Sequence, residues 1–154
     1  ESYLIADELA KKKIPVILGK THELPSSEDE DIDQPYKTPA LLQKAGVLFC
    51  LSIPGGFWQE RNLMFNAGTA VAYGLTKEEA LAAITSNTAK ILRVDDKIGT
   101  LETGKNASLI VSSGDVLDMK TSTIEYAFID GRQVDLNNKQ KELNSKFSKK
   151  YGIN

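Results

Sequence analysis

His22 is the only histidine of the sequence, and it stands in the polar stretch 20-KTHELPSSEDEDIDQPYKTP-39, which holds three prolines and the clustered acids Glu28, Asp29, Glu30, Asp31 and Asp33. An imidazole titrates near neutrality, so it can trade a proton, contact a substrate or ligate a metal. A metal site needs three or four convergent ligands, and one histidine in isolation makes none. His22 is therefore read as a loop residue or a substrate contact before a metal ligand. The acids lack the spacing of a calcium loop. With Ser26, Ser27 and the prolines around them, they predict a solvated, mobile loop. Arg61 and Asn62 open a helical stretch just after 54-PGGFWQ-59. There they can meet an anionic substrate group, with capping and surface roles as the alternatives. Trp58 either lines a pocket or packs beneath one. His22, Arg61 and Asn62 are the candidate substrate-binding residues. No catalytic residue and no metal ligand is assigned.

The remaining chemistry is sparse. Cys50, the single cysteine, lies in the apolar run 47-VLFCL-51 and reads as a small buried hydrophobe. One cysteine excludes an internal disulfide and a cysteine-rich metal centre. The net charge of −2, with 41% hydrophobic and 26% charged residues, gives no reason to expect nucleic acid or an anionic membrane as partner. No apolar run approaches the length of a membrane span. The chain opens on Glu1, in what reads as a helix already under way, so the expectation is a piece of a longer protein. Localisation stays open between cytoplasm and periplasm.

The elements that must position these residues follow from periodicity. Residues 2–13 place Leu4, Ile5, Leu9 and Ala10 on one helical face. The run 14-IPVIL-18 predicts a strand buried on both faces, as in parallel sheets covered by helices. A helix is predicted over 38–46, with Thr38 as cap, Pro39 in the first turn and Gly46 at the end. The run 47-VLFCLS-52 predicts a second buried strand. Helix 60–73 closes at Gly74. The words 76-TKEE-79 form a capping box, with Leu81 and Ile84 as the buried stripe that follows. Ser86 or Asn87 caps a further turn over 88–92. From residue 98 the pattern turns to strands at 108–112, 123–129 and 132–136. The Asp130-Gly131 link between the last two predicts a type I′ hairpin. Over 137–151, Leu143, Phe147 and Tyr151 share a stripe expected to dock. The order is α/β, followed by a small β segment and a helical tail.

Three stretches, 62-NLMFNAGTAVAYGLTKEEALAAITSNTAKIL-92, 94-VDDKIGTLETGKNASLIV-111 and 126-YAFIDGRQV-134, give the sequence its closest resemblance. Together they resemble the C-terminal part of the amidohydrolase superfamily, and of imidazolonepropionase-like metal-dependent hydrolases in particular. The resemblance implies the C-terminal portion of a (β/α)8 TIM barrel plus strands of a small composite β-sandwich. Residues 1–96 would belong to the barrel, 97–136 to the sandwich, and 137–154 to a C-terminal helix or tail. It implies hydrolysis of non-peptide carbon–nitrogen bonds, as in cyclic amides, by metal-activated water. The divalent metal, zinc or iron, is expected only in the intact enzyme, whose His-x-His pair lies outside this sequence. None is expected in this chain alone.

The family's last barrel strand commonly ends in an aspartate, and its expected place here falls near Pro54. No Asp or Glu occurs from Val47 to Gln59. The alternative is thus a non-catalytic amidohydrolase-like subunit. The partners implied are a small-molecule substrate, the remainder of the chain or a related amidohydrolase subunit, and homo-oligomers.

Overall fold

The computed structural model describes residues 1–19 and 21–153. Lys20, which begins the acidic stretch, lies outside them. The architecture is mixed α/β, with a two-stranded parallel sheet and a three-stranded antiparallel sheet among the described residues. A 3₁₀ turn, Ser2–Ile5, leads into α1 (Ala6–Lys11), β1 (Val16–Leu18), α2 (Gln34–Lys44) and β2 (Phe49–Leu51). A second 3₁₀ turn, Phe57–Asn62, leads into α3 (Leu63–Ala72), α4 (Lys77–Ile84) and α5 (Ser86–Leu92). Then come β3 (Leu109–Ser112), β4 (Ile124–Ile129), β5 (Arg132–Gln133) and α6 (Lys139–Tyr151).

β1 and β2 run parallel, in the register Val16↔Phe49, Ile17↔Cys50 and Leu18↔Leu51. A parallel pair cannot close through a tight hairpin, so the chain crosses over through α2. Every β2 residue is buried. Helices α2, α3, α4 and α5 all pack on this strand. Phe49 and Leu42 are fully buried among Ala67, Ala70, Ala80 and Ala83, whose small side chains let the helices approach closely. Burying a side chain of that size contributes about 1.5–3 kcal/mol. Asn87 fixes α5 to the strand by donating from Nδ2 to the Phe49 carbonyl at 3.1 Å.

The capping box forms as its sequence predicts. Thr76 Oγ1 accepts from Glu79 N, and Glu79 accepts from Thr76 N at 2.8 Å. The glycines that end helices, Gly46 (φ +76°) and Gly74 (φ +119°), take the left-handed region that side chains disfavour.

β3, β4 and β5 form the antiparallel sheet, with a bulge between Val111 and Ser112. Asp130 (φ +49°) and Gly131 (φ +76°) give the hairpin the two positive φ angles of a type I′ turn. The Asp130 carboxylate accepts from Asn106 Nδ2 at 2.9 Å. The Gly131 amide donates to the Ala107 carbonyl at 2.9 Å, which ties the turn to the segment before β3. The connection from β3 to β4 returns to the helices. There buried Leu117 sits against α3, where a Cβ on Gly68 would lie 2.1 Å from the Leu117 carbonyl oxygen.

Five expectations are corrected. Leu4 and Ile5 are exposed, and Ala6, Leu9 and Ala10 carry the contact with the core instead. β1 is not buried on both faces: Ile17 is 58% exposed, because the helices cover only one side of the strand. α2 starts at Gln34, so Thr38 and Pro39 lie inside it and Pro35 takes the first-turn position. Thr38 Oγ1 donates to the Gln34 carbonyl at 2.8 Å within the helix rather than capping it. In α6 no residue is buried. Leu143, Phe147 and Tyr151 stay exposed, with Phe147 and Tyr151 stacked on each other at 6.4 Å. α5 begins at Ser86 without a side-chain cap.

Candidate functional site

Both parallel strands point their C-terminal ends at one cleft of about 310 Å³. Gly19, just after β1, meets Pro54, beyond β2: a Cβ at residue 19 would stand 3.3 Å from the proline ring. The walls come from Thr21, His22 and Glu23 on one side and from Ile53, Pro54, Trp58, Gln59 and Asn62 on the other. Phe65 and Asn66 of α3 form the back, and Met119 reaches in from the β3–β4 connection.

The polar groups are held in place. Thr21 Oγ1 donates to Asn66 Oδ1 at 2.6 Å, with both residues buried. Asn66 Nδ2 donates in turn to the Asn62 carbonyl at 3.0 Å. A buried amide with both ends engaged cannot flip without losing both bonds. His22 Nε2 lies 2.5 Å from Thr69 Oγ1. Its ring meets Tyr36 edge-on at 6.0 Å, and Tyr36 packs on Tyr73 at 5.1 Å. His22 is exposed overall, yet partial desolvation of the ring lowers its pKa below the ordinary histidine value. The ring is therefore neutral at neutral pH.

Of the three residues proposed from sequence, the structure brings His22 and Asn62 together in the cleft. Arg61 is exposed on the 3₁₀ turn and is not a lining residue. Trp58 lines the cleft while remaining largely exposed. Sequence reasoning missed Thr21, Glu23, Asn66 and Met119. The first two flank His22 after a strand end, a signal that was readable. Asn66, one helical turn after Asn62, was readable in the same way, and Met119 arrives through tertiary packing alone.

The acidic stretch is anchored rather than free. Glu30 accepts from Tyr3 Oη at 2.7 Å and from the Ser26 amide at 2.8 Å. These bonds, led by Tyr3, hold its carboxyl below the usual range. Asp31 pairs with Lys37 Nζ at 2.5 Å, which lowers its pKa. Asp33 accepts from Tyr73 Oη at 3.3 Å.

A divalent metal does not fit the residues present. Among the described residues, no three His, Cys, Asp or Glu side chains are grouped to hold one. β2 leads to Pro54, which offers no ligand atom, and Glu23 is the one carboxylate among the described lining residues. The arrangement can bind and orient a small polar molecule through an imidazole, the residues around a fixed amide, and an indole.

Comparison with known proteins places these elements among relatives. The model of the amidohydrolase family matches residues 38–134. Over 81 residues the chain is 35% identical to an imidazolonepropionase of Picrophilus torridus, covering 47% of this chain and 20% of that one. It thus spans about a fifth of the length of that curated relative. The crystal structure of an amidohydrolase from Thermotoga maritima superposes with a TM-score of 0.76 at 38% identity, covering 86% of this chain and 34% of that one. An adenosine deaminase from Xanthomonas campestris, solved with bound zinc, shares the fold at 19% identity and a TM-score of 0.53, covering 94% of this chain and 39% of that one.

Proposed function

The chain belongs to the amidohydrolase family, and from that premise we propose that it forms the C-terminal part of a hydrolase of non-peptide carbon–nitrogen bonds, with small cyclic amides as substrates. Residues 1–96 supply the last units of a (β/α)8 barrel, 97–136 supply strands of a composite β-sandwich, and 137–154 form a tail. The observation that carries the reading is the cleft at the C-terminal ends of the parallel strands β1 and β2. Barrel enzymes assemble their active sites at that end of their strands.

In this reading His22 and Asn62 contact the substrate, and Asn66, fixed by Thr21, holds the Asn62 turn in place. Arg61 acts at the rim, where its guanidinium meets an anionic substituent. A zinc or iron ion of the intact enzyme takes its ligands from outside these residues, since no ligand group forms among those described. The remainder of the barrel, or a related amidohydrolase subunit, covers the apolar surface that Ile17 exposes here. The intact protein is homo-oligomeric.

Pro54 favours a second reading, a non-catalytic subunit of the same fold that binds such amides without turning them over. The test takes the polypeptide that carries this chain together with the remaining barrel strands, loaded with zinc or ferrous iron. It is assayed for hydrolysis and for binding of an imidazolone and of related cyclic amides. Turnover supports the enzyme; binding without turnover supports the subunit. Neither binding nor turnover would overturn both readings.

A further inference from the structure

The two partners of Thr69 bear on where a proton sits on His22. Thr69 Oγ1 lies 3.1 Å from the Phe65 carbonyl, one turn back in α3, and 2.5 Å from His22 Nε2. A threonine hydroxyl has one proton to give, and a carbonyl oxygen can only accept. With the Thr69 proton in the bond to Phe65, the back-bond a helical threonine commonly makes, only lone pairs face the imidazole. At 2.5 Å a lone pair on Nε2 would oppose those of the hydroxyl, so Nε2 carries a hydrogen. In a neutral imidazole the other nitrogen, Nδ1, is then an unprotonated acceptor. Tyr36 steadies the ring from its edge, and the Tyr73 hydroxyl bound to Asp33 steadies Tyr36 through their ring contact.

We propose that Thr69 is a positioning residue that locks His22 as its Nε2–H tautomer, so that Nδ1 serves the cleft as an acceptor for the N–H of a bound cyclic amide. The choice of ligand rests on the carbon–nitrogen hydrolase reading; the tautomer does not. A site built to accept a hydrogen bond discriminates against an analogue that lacks the donor, because its acceptor is then left unpaired. His22 thereby selects N–H amides over N-alkylated ones.

His22 is the only histidine, so its two ring nitrogens can be read by ¹⁵N NMR without assignment. Near neutral pH the expected spectrum shows a protonated Nε2 and an unprotonated Nδ1. Thr69→Val, which keeps the side-chain volume and removes the acceptor, should give a mixture of tautomers. Thr69→Ser, which keeps the hydroxyl, should restore the single form. Imidazolidinone, titrated as the probe, should move the Nδ1 resonance, whereas its N,N′-dimethyl derivative should not. Thr69→Val should weaken imidazolidinone binding about tenfold, the worth of one hydrogen bond.

A protonated Nδ1 in the unaltered chain would overturn the inference. So would a tautomer ratio that Thr69→Val leaves unchanged, an Nδ1 resonance that imidazolidinone leaves unmoved, or equal binding of the dimethyl derivative. None of these results touches the hydrolysis assay on the longer polypeptide, and a failed hydrolysis assay leaves the tautomer in place.

Discussion

The antiparallel half of the molecule holds more strand than the parallel half, yet the parallel half holds the core, and the two are stabilised by different physics. Around β2, strand and helices share one core, in which Phe49, Leu42 and four alanines lose contact with solvent. In the β3–β5 sheet the backbone ladder and the Asp130-Gly131 turn are well formed, yet Ile110, Val111, Tyr126 and Ile129 remain exposed. Local turn chemistry sets register without any core. Burial needs a second layer, and the described residues supply that layer only to the parallel pair. The two halves meet where Leu117 docks on Gly68 of α3.

Substitutions can break this contrast, beginning with the largest effect. Phe49→Ala removes a fully buried ring and should cost about 3–5 kcal/mol, measured by urea unfolding of the chain. Ile110→Ala in the antiparallel sheet should cost under about 1 kcal/mol by the same measurement, as befits a half-exposed position. Equal losses would erase the difference between the halves. Gly68→Ala tests the joint. Its methyl would press on the Leu117 carbonyl, and the loss should be about 1–3 kcal/mol. A neutral result would mean that the β3–β4 connection yields freely.

Smaller effects sharpen the picture. Thr76→Ala deletes the capping box of α4 and should cost about 1 kcal/mol, with faster amide exchange confined to the first turn of that helix. His22 gives a pH dependence with a defined sign. Its folded pKa lies below its unfolded value of about 6.5. Between the two values the unfolded chain binds more protons, so stability is complete above the unfolded pKa. It falls as pH drops from there towards the folded pKa. His22→Gln should flatten that segment of a stability-versus-pH curve, and an unchanged curve would refute the neutral folded imidazole. At the low end, Phe147→Ala should change stability by less than about 0.5 kcal/mol, since α6 buries nothing.

Features readable in the sequence were those in which neighbouring residues decide the outcome. The Thr76–Glu79 box, the Asp130-Gly131 turn, the glycine stops and the apolar β2 run all act within a few positions. The start of α2 was misplaced because Pro39 reads locally as a first-turn residue. The earlier turn carries a local ion pair, Lys37 with Asp31, and a tertiary contact, Tyr36 on Tyr73. The acidic stretch reads as solvated for the same reason: the partner of Glu30 is Tyr3, 27 residues away. In the cleft, His22 and Asn62 could be nominated from position after a strand. Asn66 holds Asn62 from one helical turn away, but the bonds that tie His22 to Thr69 and Thr21 to Asn66 span 47 and 45 positions. No local pattern encodes such distances.

Cys50 offers the chain a built-in clock. It occupies the middle of β2, is 3% exposed, and burial pushes its thiol up from the ordinary value. A thiol reagent needs both access and thiolate, and the native strand withholds both. Alkylation must therefore wait for β2 to be uncovered, and with no competing cysteine the labelling rate counts those openings one by one.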